Sequence, residues 1–229
     1  MSQAGLVARL AWRELWITFR MLIVLVAFVG VGALVVIVPA SPGTMFERAA
    51  IGLGAATTVV AAITAWSVAN ERVSGRAGWL VTRSVARATY VLGWFGALVA
   101  ISFVGLAAAG FLAWMAAAGG FARPDPAELV AAIGAVAAGV AAAIAFGLLA
   151  AALARPLTAA IVVSLGCLAV AAAGLTIPGA ATLLPWAALA DVAAPDSVLG
   201  AAVISAGAAL LACAVLLSLA RVAIERAEL

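Results

Sequence analysis

Six long apolar runs, separated by short charged or turn-forming segments, dominate this sequence of 229 residues. A helix needs about 20 apolar residues to cross the roughly 30 Å hydrocarbon layer of a membrane, and each run meets that length. Only 9% of the residues are charged, whereas soluble domains carry about a quarter. The pattern predicts an all-α polytopic membrane protein that forms a single transmembrane domain over residues 1–229. The predicted transmembrane helices are 21–40, 49–70, 88–118, 128–154, 157–176 and 198–220.

The arginines are divided unevenly between the two ends of these spans. The sequence has no lysine or histidine, and only Arg48 and Arg123 fall on the side opposite to the other ten arginines. Because cytoplasmic loops retain positive charge, this predicts a multi-pass protein with both termini in the cytoplasm. A removable signal peptide is not expected, since the first apolar run is long and no small-residue cleavage site follows it. The abundant alanine, with basic charge carried only by arginine, suggests a GC-rich bacterial genome, and the predicted location is the bacterial cytoplasmic (inner) membrane.

Residues 4–20 predict an amphipathic helix ahead of the first span. On a helix the arginines project in one stripe and several apolar side chains project on the other side, which is typical of a helix lying at the membrane surface. The alternative is a basic flank that only sets orientation. The predicted membrane-surface residues are Arg9, Trp12, Arg13, Trp16 and Arg20, and the side opposite the arginines carries Ala8, Trp12, Leu15 and Phe19.

A polar, arginine-rich segment, residues 71–87, connects the second and third spans. Gly75 and Gly78 are expected to interrupt the helix there. If the segment is otherwise helical, its arginines share one face and could contact an acidic groove on a cytosolic partner or lipid headgroups. The alternative is that these arginines only follow the positive-inside rule and contact no partner. Aromatic residues near the span ends, Trp66, Tyr90, Trp94 and Trp114, are interpreted as membrane-interface anchors.

The segment 177–197 is apolar but contains three prolines. It is too broken for a crossing helix, and non-helical backbone at membrane depth is tolerated only when protein or a wet cavity surrounds it. This predicts a re-entrant outer hairpin before the last span; the alternative is a loop lying on the outer surface. The predicted outer gate comprises Leu183, Leu184, Pro185, Trp186 and Asp191.

Several kinds of chemistry are not expected. The sequence has no phosphate-binding Gly-x-x-x-x-Gly-Lys-Ser/Thr loop, no metal-ligand spacing and no histidine or lysine base for a serine nucleophile. We therefore predict no enzyme activity, no metal or cofactor in this chain and no nucleic-acid partner. Cys167 and Cys213 lie within spans and are expected to be buried thiols without a disulfide.

Together these features resemble the permease subunits of type-2 ABC exporters, which have six spans, an amphipathic elbow helix, a cytosolic coupling loop after the second span and a re-entrant outer hairpin before the sixth. The family motif Glu-Arg-Glu-x-Gly-Thr-Leu-Glu-x-Leu-Leu, followed by Pro-Val-Ser-Arg, is matched at Glu71, Arg72, Gly75, Leu80, Val85 and Arg87. Arg76, Gly78 and Ser84 depart from it.

The resemblance implies a permease for an amphipathic or lipid-like substrate, paired with two ABC ATPase subunits that hold ATP and Mg, and with a second copy or a similar permease. The residues it assigns to ATPase coupling are Glu71, Arg72, Gly75, Arg76, Trp79, Leu80, Arg83 and Arg87.

Three other functions stay open at the level of sequence. A heme-handling permease of cytochrome maturation has the same size and span count. A secondary carrier would need intramembrane charge, which the predicted spans lack. A non-transporting membrane scaffold or sensor subunit fits the composition equally well.

Overall fold

The computed structural model describes residues 3–37, 42–76, 86–118, 125–177, 179–186 and 198–226. Over these residues the chain is helical and contains no strand, so the all-α prediction is confirmed. The helices are α1 (Gln3–Ile17), α2 (Arg20–Ile37), α3 (Pro42–Val73), α4 (Arg87–Ala118), α5 (Pro126–Leu153), α6 (Pro156–Thr176) and α7 (Val198–Arg226), with a short 3-10 helix at Ala180–Leu183.

Five of these helices, α3 to α7, are long and apolar enough to cross a membrane. α1 and α2 form a bent pair with an angle of 78° between them, which brings the count to six if the pair is one span. The chain is therefore a multi-helix membrane protein. α3 begins seven residues before the predicted span at 49, because Glu47 and Arg48 interrupt the apolar run without ending the helix.

The breaks between helices follow from local chemistry. The side chain of Asp125 accepts a hydrogen bond of 2.9 Å from the backbone N–H of Ala127, and Pro126 opens α5, as the sequence predicted. Pro156 opens α6 after an extended residue at Ala154, which confirms the predicted break. Gly75, at φ 76°, follows the end of α3 in the left-handed conformation that ends helices.

α5 is the central helix and packs against α3, α4, α6 and α7. α2 packs mainly on α4, and α6 packs on both α3 and α5. The α5 sequence is rich in alanine and glycine, which lets neighbouring backbones approach closely. The outer faces of α6 and α7 expose many large apolar side chains, as expected where lipid surrounds the protein.

Two predictions about side-chain placement were wrong. Tyr90 and Trp94 are only 2% and 1% exposed, so they are core residues and not interface anchors. Trp66 and Trp114, in contrast, are exposed; both lie toward the C-terminal ends of their helices, which are at opposite ends of the bundle.

On α1, the apolar side predicted from Ala8, Trp12, Leu15 and Phe19 overlaps the buried side only at Leu15, since Trp12 and Phe19 are exposed. The buried face is Val7, Ala11 and Leu15, because this face packs against α4. The amphipathic pattern distinguished two sides of α1, whereas the folded helix has a third, aliphatic side that faces protein.

Candidate functional site

The arginine-rich end of the bundle is the first candidate site. Here the N-termini of α2, α4 and α6 meet the C-termini of α3, α5 and α7, and we call this the basic end. Among the described residues it carries Arg9, Arg13, Arg20, Arg72, Arg76, Arg87, Arg155, Arg221 and Arg226, whereas Arg48 lies at the opposite end. The folded helices therefore keep the charge asymmetry that the sequence showed.

Two arginines of the predicted coupling segment bind helix C-termini. Arg72 donates a 2.8 Å hydrogen bond to the carbonyl of Ala154, and Arg87 donates one of 2.6 Å to the carbonyl of Glu225. The last carbonyls of a helix have no partner within it and carry partial negative charge, so a guanidinium is favourable there. Arg72 thus joins α3 to the end of α5, and Arg87 joins α4 to the end of α7.

Glu71 points into the bundle. Tyr90 Oη and Trp94 Nε1, one helical turn apart on α4, both donate to Glu71 Oε2, at 2.8 and 3.1 Å. The resemblance assigned Glu71 to partner contact, but its carboxylate is used between α3 and α4. Sequence analysis missed this role of Tyr90 and Trp94; their i,i+4 spacing puts them on one face of α4 but does not identify their partner.

The segment that follows α3 is tied to the N-terminal helix. Arg76 forms a 3.1 Å ion pair with Glu14 of α1, while its side chain stays 62% exposed. Arg20, at the start of α2, donates a 2.9 Å hydrogen bond to Ser67 of α3. These contacts place α1 and residues 74–76 together at the basic end. The other predicted coupling residues, Trp79, Leu80 and Arg83, lie outside the described residues.

A cavity of about 480 Å³ between α3, α5, α6 and α7 is the second candidate site. The short segment after α6 covers it, and this segment supplies four of the predicted gate residues. Asp191 lies outside the described part of the chain. The lining residues are Gly54, Thr57, Thr58, Gly139, Ala142, Ala143, Phe146, Gly166, Cys167, Val170, Leu183, Leu184, Pro185, Trp186, Ala208, Ala209, Ala212 and Leu216.

The covering segment penetrates between the helices because α6 is short. α6 has 21 residues and α5 has 28, so α6 ends about 10 Å before the far end of α5. Pro185 lies against Gly139, which is about 20 Å along α5 from its start. Trp186 packs over Gly54 of α3. Leu184 and Pro185 are buried, so the segment occupies the interior of the bundle.

Gly139 allows this approach, and its substitution by alanine should loosen the covering segment. A Cβ at position 139 would lie 2.6 Å from Pro185 Cγ, a distance that requires the segment to move. We expect Gly139→Ala to lower the free energy of unfolding by about 1–2 kcal/mol. In the matched control Gly134→Ala, on the same helix, the new Cβ meets nothing within 4 Å. That change should stabilise by about 0.5–1 kcal/mol. Denaturant titration followed by circular dichroism measures both, and equal effects would contradict the close contact at Gly139.

Comparison with protein-family models finds none that matches this chain, and comparison with curated proteins finds no match. Within the described ranges no cluster of three or more His, Cys, Asp or Glu could hold a metal ion. Cys167 on α6 and Cys213 on α7 are free thiols; Cys213 is buried, as predicted, whereas Cys167 is only half-buried.

Proposed function

We propose that this chain is the permease subunit of a type-2 ABC exporter. In this proposal it forms the path for an amphipathic or lipid-like substrate and couples to separate ATPase subunits through residues 71–87. The observation that carries the proposal is the Arg76–Glu14 ion pair, which joins the start of the coupling segment to a helix bent by 78° from the first span. An elbow helix and a coupling loop on the same side of the membrane are the features that the sequence resemblance implied.

α1 has the surface of an elbow helix. One face is buried against α4, while Trp12 and Trp16 remain exposed, and Arg9 and Arg13 project away from the protein. Exposed tryptophans beside arginines suit the boundary between headgroups and acyl chains. We therefore place α1 in the plane of the cytoplasmic membrane surface, with Glu14 directed toward the coupling segment.

The segment 179–186 supports a re-entrant hairpin before the last span. Its backbone is non-helical apart from one 3-10 turn, and it is accommodated because Leu184 and Pro185 are buried by protein. In the assembled exporter we propose that this hairpin and its counterpart in a second permease copy close the outer end of the path, with Leu183 and Trp186 as apolar plug residues.

The basic end then faces the cytoplasm of a bacterium, where two ATPase subunits bring ATP and Mg. Spans from one copy are too few to enclose a path, so the unit contains a second copy or a similar permease, with contact through the first, second and fifth spans. Energy enters through the partner because this sequence contains no phosphate-binding loop.

Site-specific photocrosslinking tests the coupling contact. Arg76 is exposed at the basic end, and its surface ion pair contributes little to stability, so a photoreactive phenylalanine derivative should be tolerated there. We expect irradiation of intact cells to join position 76 to a protein that contains a phosphate-binding loop. The same residue at position 48, exposed at the opposite end, should not give this product. Products from position 76 that lack such a loop would contradict the proposal.

A further inference from the structure

The cavity covered by residues 183–186 is unsuited to a polar occupant. Its lining side chains are apolar except for Thr57, Thr58, Cys167 and the indole N–H of Trp186. The Thr57 hydroxyl donates to the carbonyl of Leu53 at 2.7 Å, and the Thr58 hydroxyl donates to the carbonyl of Gly54 at 3.1 Å. Both donors are therefore satisfied within α3. Water or a polar ligand would find few partners, and cavities of this kind stay dry and take apolar guests.

The cavity lies level with the middle of the long apolar helices. Its α7 residues, Ala208 to Leu216, fall in the central part of the 29-residue helix, and its α5 residues, Gly139 to Phe146, fall in the central part of that helix. The lining contains no charged residue. At this depth the surrounding solvent is hydrocarbon, so a headgroup would be unfavourable and an alkyl chain would not.

The size and opening of the cavity match one flexible chain. A volume of about 480 Å³ lies within the range of small-molecule sites, about 300–1,000 Å³, and well above the cavity of about 150 Å³ that holds benzene. Two of its lining residues are also exposed on the outer surface, Val170 at 54% and Leu183 at 52%. The described helices α6 and α7 also do not pack closely on each other, so the cavity opens between them toward the surroundings of the bundle.

We propose that this cavity is a binding site for a single alkyl chain, taken laterally from the bilayer between α6 and α7. The site lies within one copy of the chain, whereas the proposed export path lies between two copies, and binding requires neither ATP nor a partner. Both a phospholipid and a single-chain amphiphile could supply the chain. The polar end of either molecule would remain outside, toward the membrane surface, while its tail contacts Phe146, Cys167 and Trp186.

Photoaffinity labelling of the purified chain in lipid nanodiscs tests this site. One probe is hexadecanol with a diazirine at mid-chain, and the other is a phosphatidylcholine with the same group in one acyl chain. We expect at least one probe to label peptides spanning 139–146 or 208–216, and excess unlabelled hexadecanol or phospholipid to reduce that labelling about tenfold. Labelling by the alcohol alone identifies a single-chain amphiphile, and labelling by the phospholipid identifies a membrane lipid. Labelling that is spread over the outer faces of the helices and does not saturate would overturn the site.

A variant that fills the cavity gives a second, independent test of the alkyl-chain site. Ala208→Leu with Ala212→Leu fills the cavity from α7, and Ala214→Leu is the matched control because Ala214 is exposed on the same helix and does not line the cavity. We expect the double variant to lose saturable labelling about tenfold and the control to keep it. Equal labelling of both would overturn the proposal. If the double variant unfolds, the competition experiment on the unmodified chain still tests whether the cavity binds an alkyl chain. Neither arm uses ATP, so these results are separate from the crosslinking test at Arg76.

Discussion

Replacing Glu71 by leucine should lower the free energy of unfolding by about 2–4 kcal/mol. The carboxylate accepts hydrogen bonds from Tyr90 and Trp94, whose side chains are almost completely buried. Leucine removes the acceptor, so two buried donors lose their partner, and each unsatisfied group costs about 1–3 kcal/mol. Unfolding in mixed micelles, followed by circular dichroism, measures the change.

Three further variants separate this contact from a general effect of mutation. Glu71→Gln keeps one acceptor oxygen and should lose only about 1 kcal/mol. Glu47→Leu changes an exposed carboxylate on the same helix and should change stability by less than about 0.5 kcal/mol. Combining Glu71→Leu with Tyr90→Phe should be less damaging than the sum of the two, because both remove the same hydrogen bond. Strict additivity would contradict the contact.

The second large effect on stability is expected from a substitution at the contact between α3 and α5. An added Cβ at Gly147 would lie 2.7 Å from the backbone carbonyl oxygen of Ala61 and 2.9 Å from Thr64 Cβ. A backbone atom cannot rotate away, so Gly147→Leu must separate the two helices. We expect this substitution to lower the free energy of unfolding by about 3 kcal/mol, which is the upper part of the usual range for overpacking.

Gly134→Leu is the control for this prediction, since position 134 is exposed on the same helix and has open space beside it. Gly134→Leu should change the free energy of unfolding by less than about 0.5 kcal/mol. Because α3 and α5 both line the 480 Å³ cavity, Gly147→Leu should also alter saturable alkyl labelling. Equal unfolding energies for the two leucine variants would show that α3 and α5 do not make this contact.

Helix number and most helix ends could be predicted because they follow from local chemistry. The length of the apolar runs locates the five helices α3 to α7, and Asp125 and Pro156 act on their own neighbours in sequence. The start of α3 was missed because a long helix tolerates charged residues in its first turns, where solvent or headgroups reach them.

Contacts between distant helices could not be predicted in the same way. Tyrosine and tryptophan near the ends of spans are typical interface anchors. Only the packing of α3 on α4 shows that Tyr90 and Trp94 bind Glu71. The cavity likewise depends on α6 being shorter than α5, which creates a space that Leu184 and Pro185 enter. Periodicity in one helix carries no information about such differences between neighbours.

ATP-driven transport is the most direct test of the proposed exporter. The chain would be reconstituted in proteoliposomes together with the ATPase captured from position 76, and movement of a fluorescent lipid analogue across the bilayer would be followed. The proposal predicts movement that requires ATP and stops when the lysine of the ATPase phosphate-binding loop is replaced by alanine. ATP-independent movement, or transport restricted to inorganic ions or to sugars without an apolar portion, would contradict it.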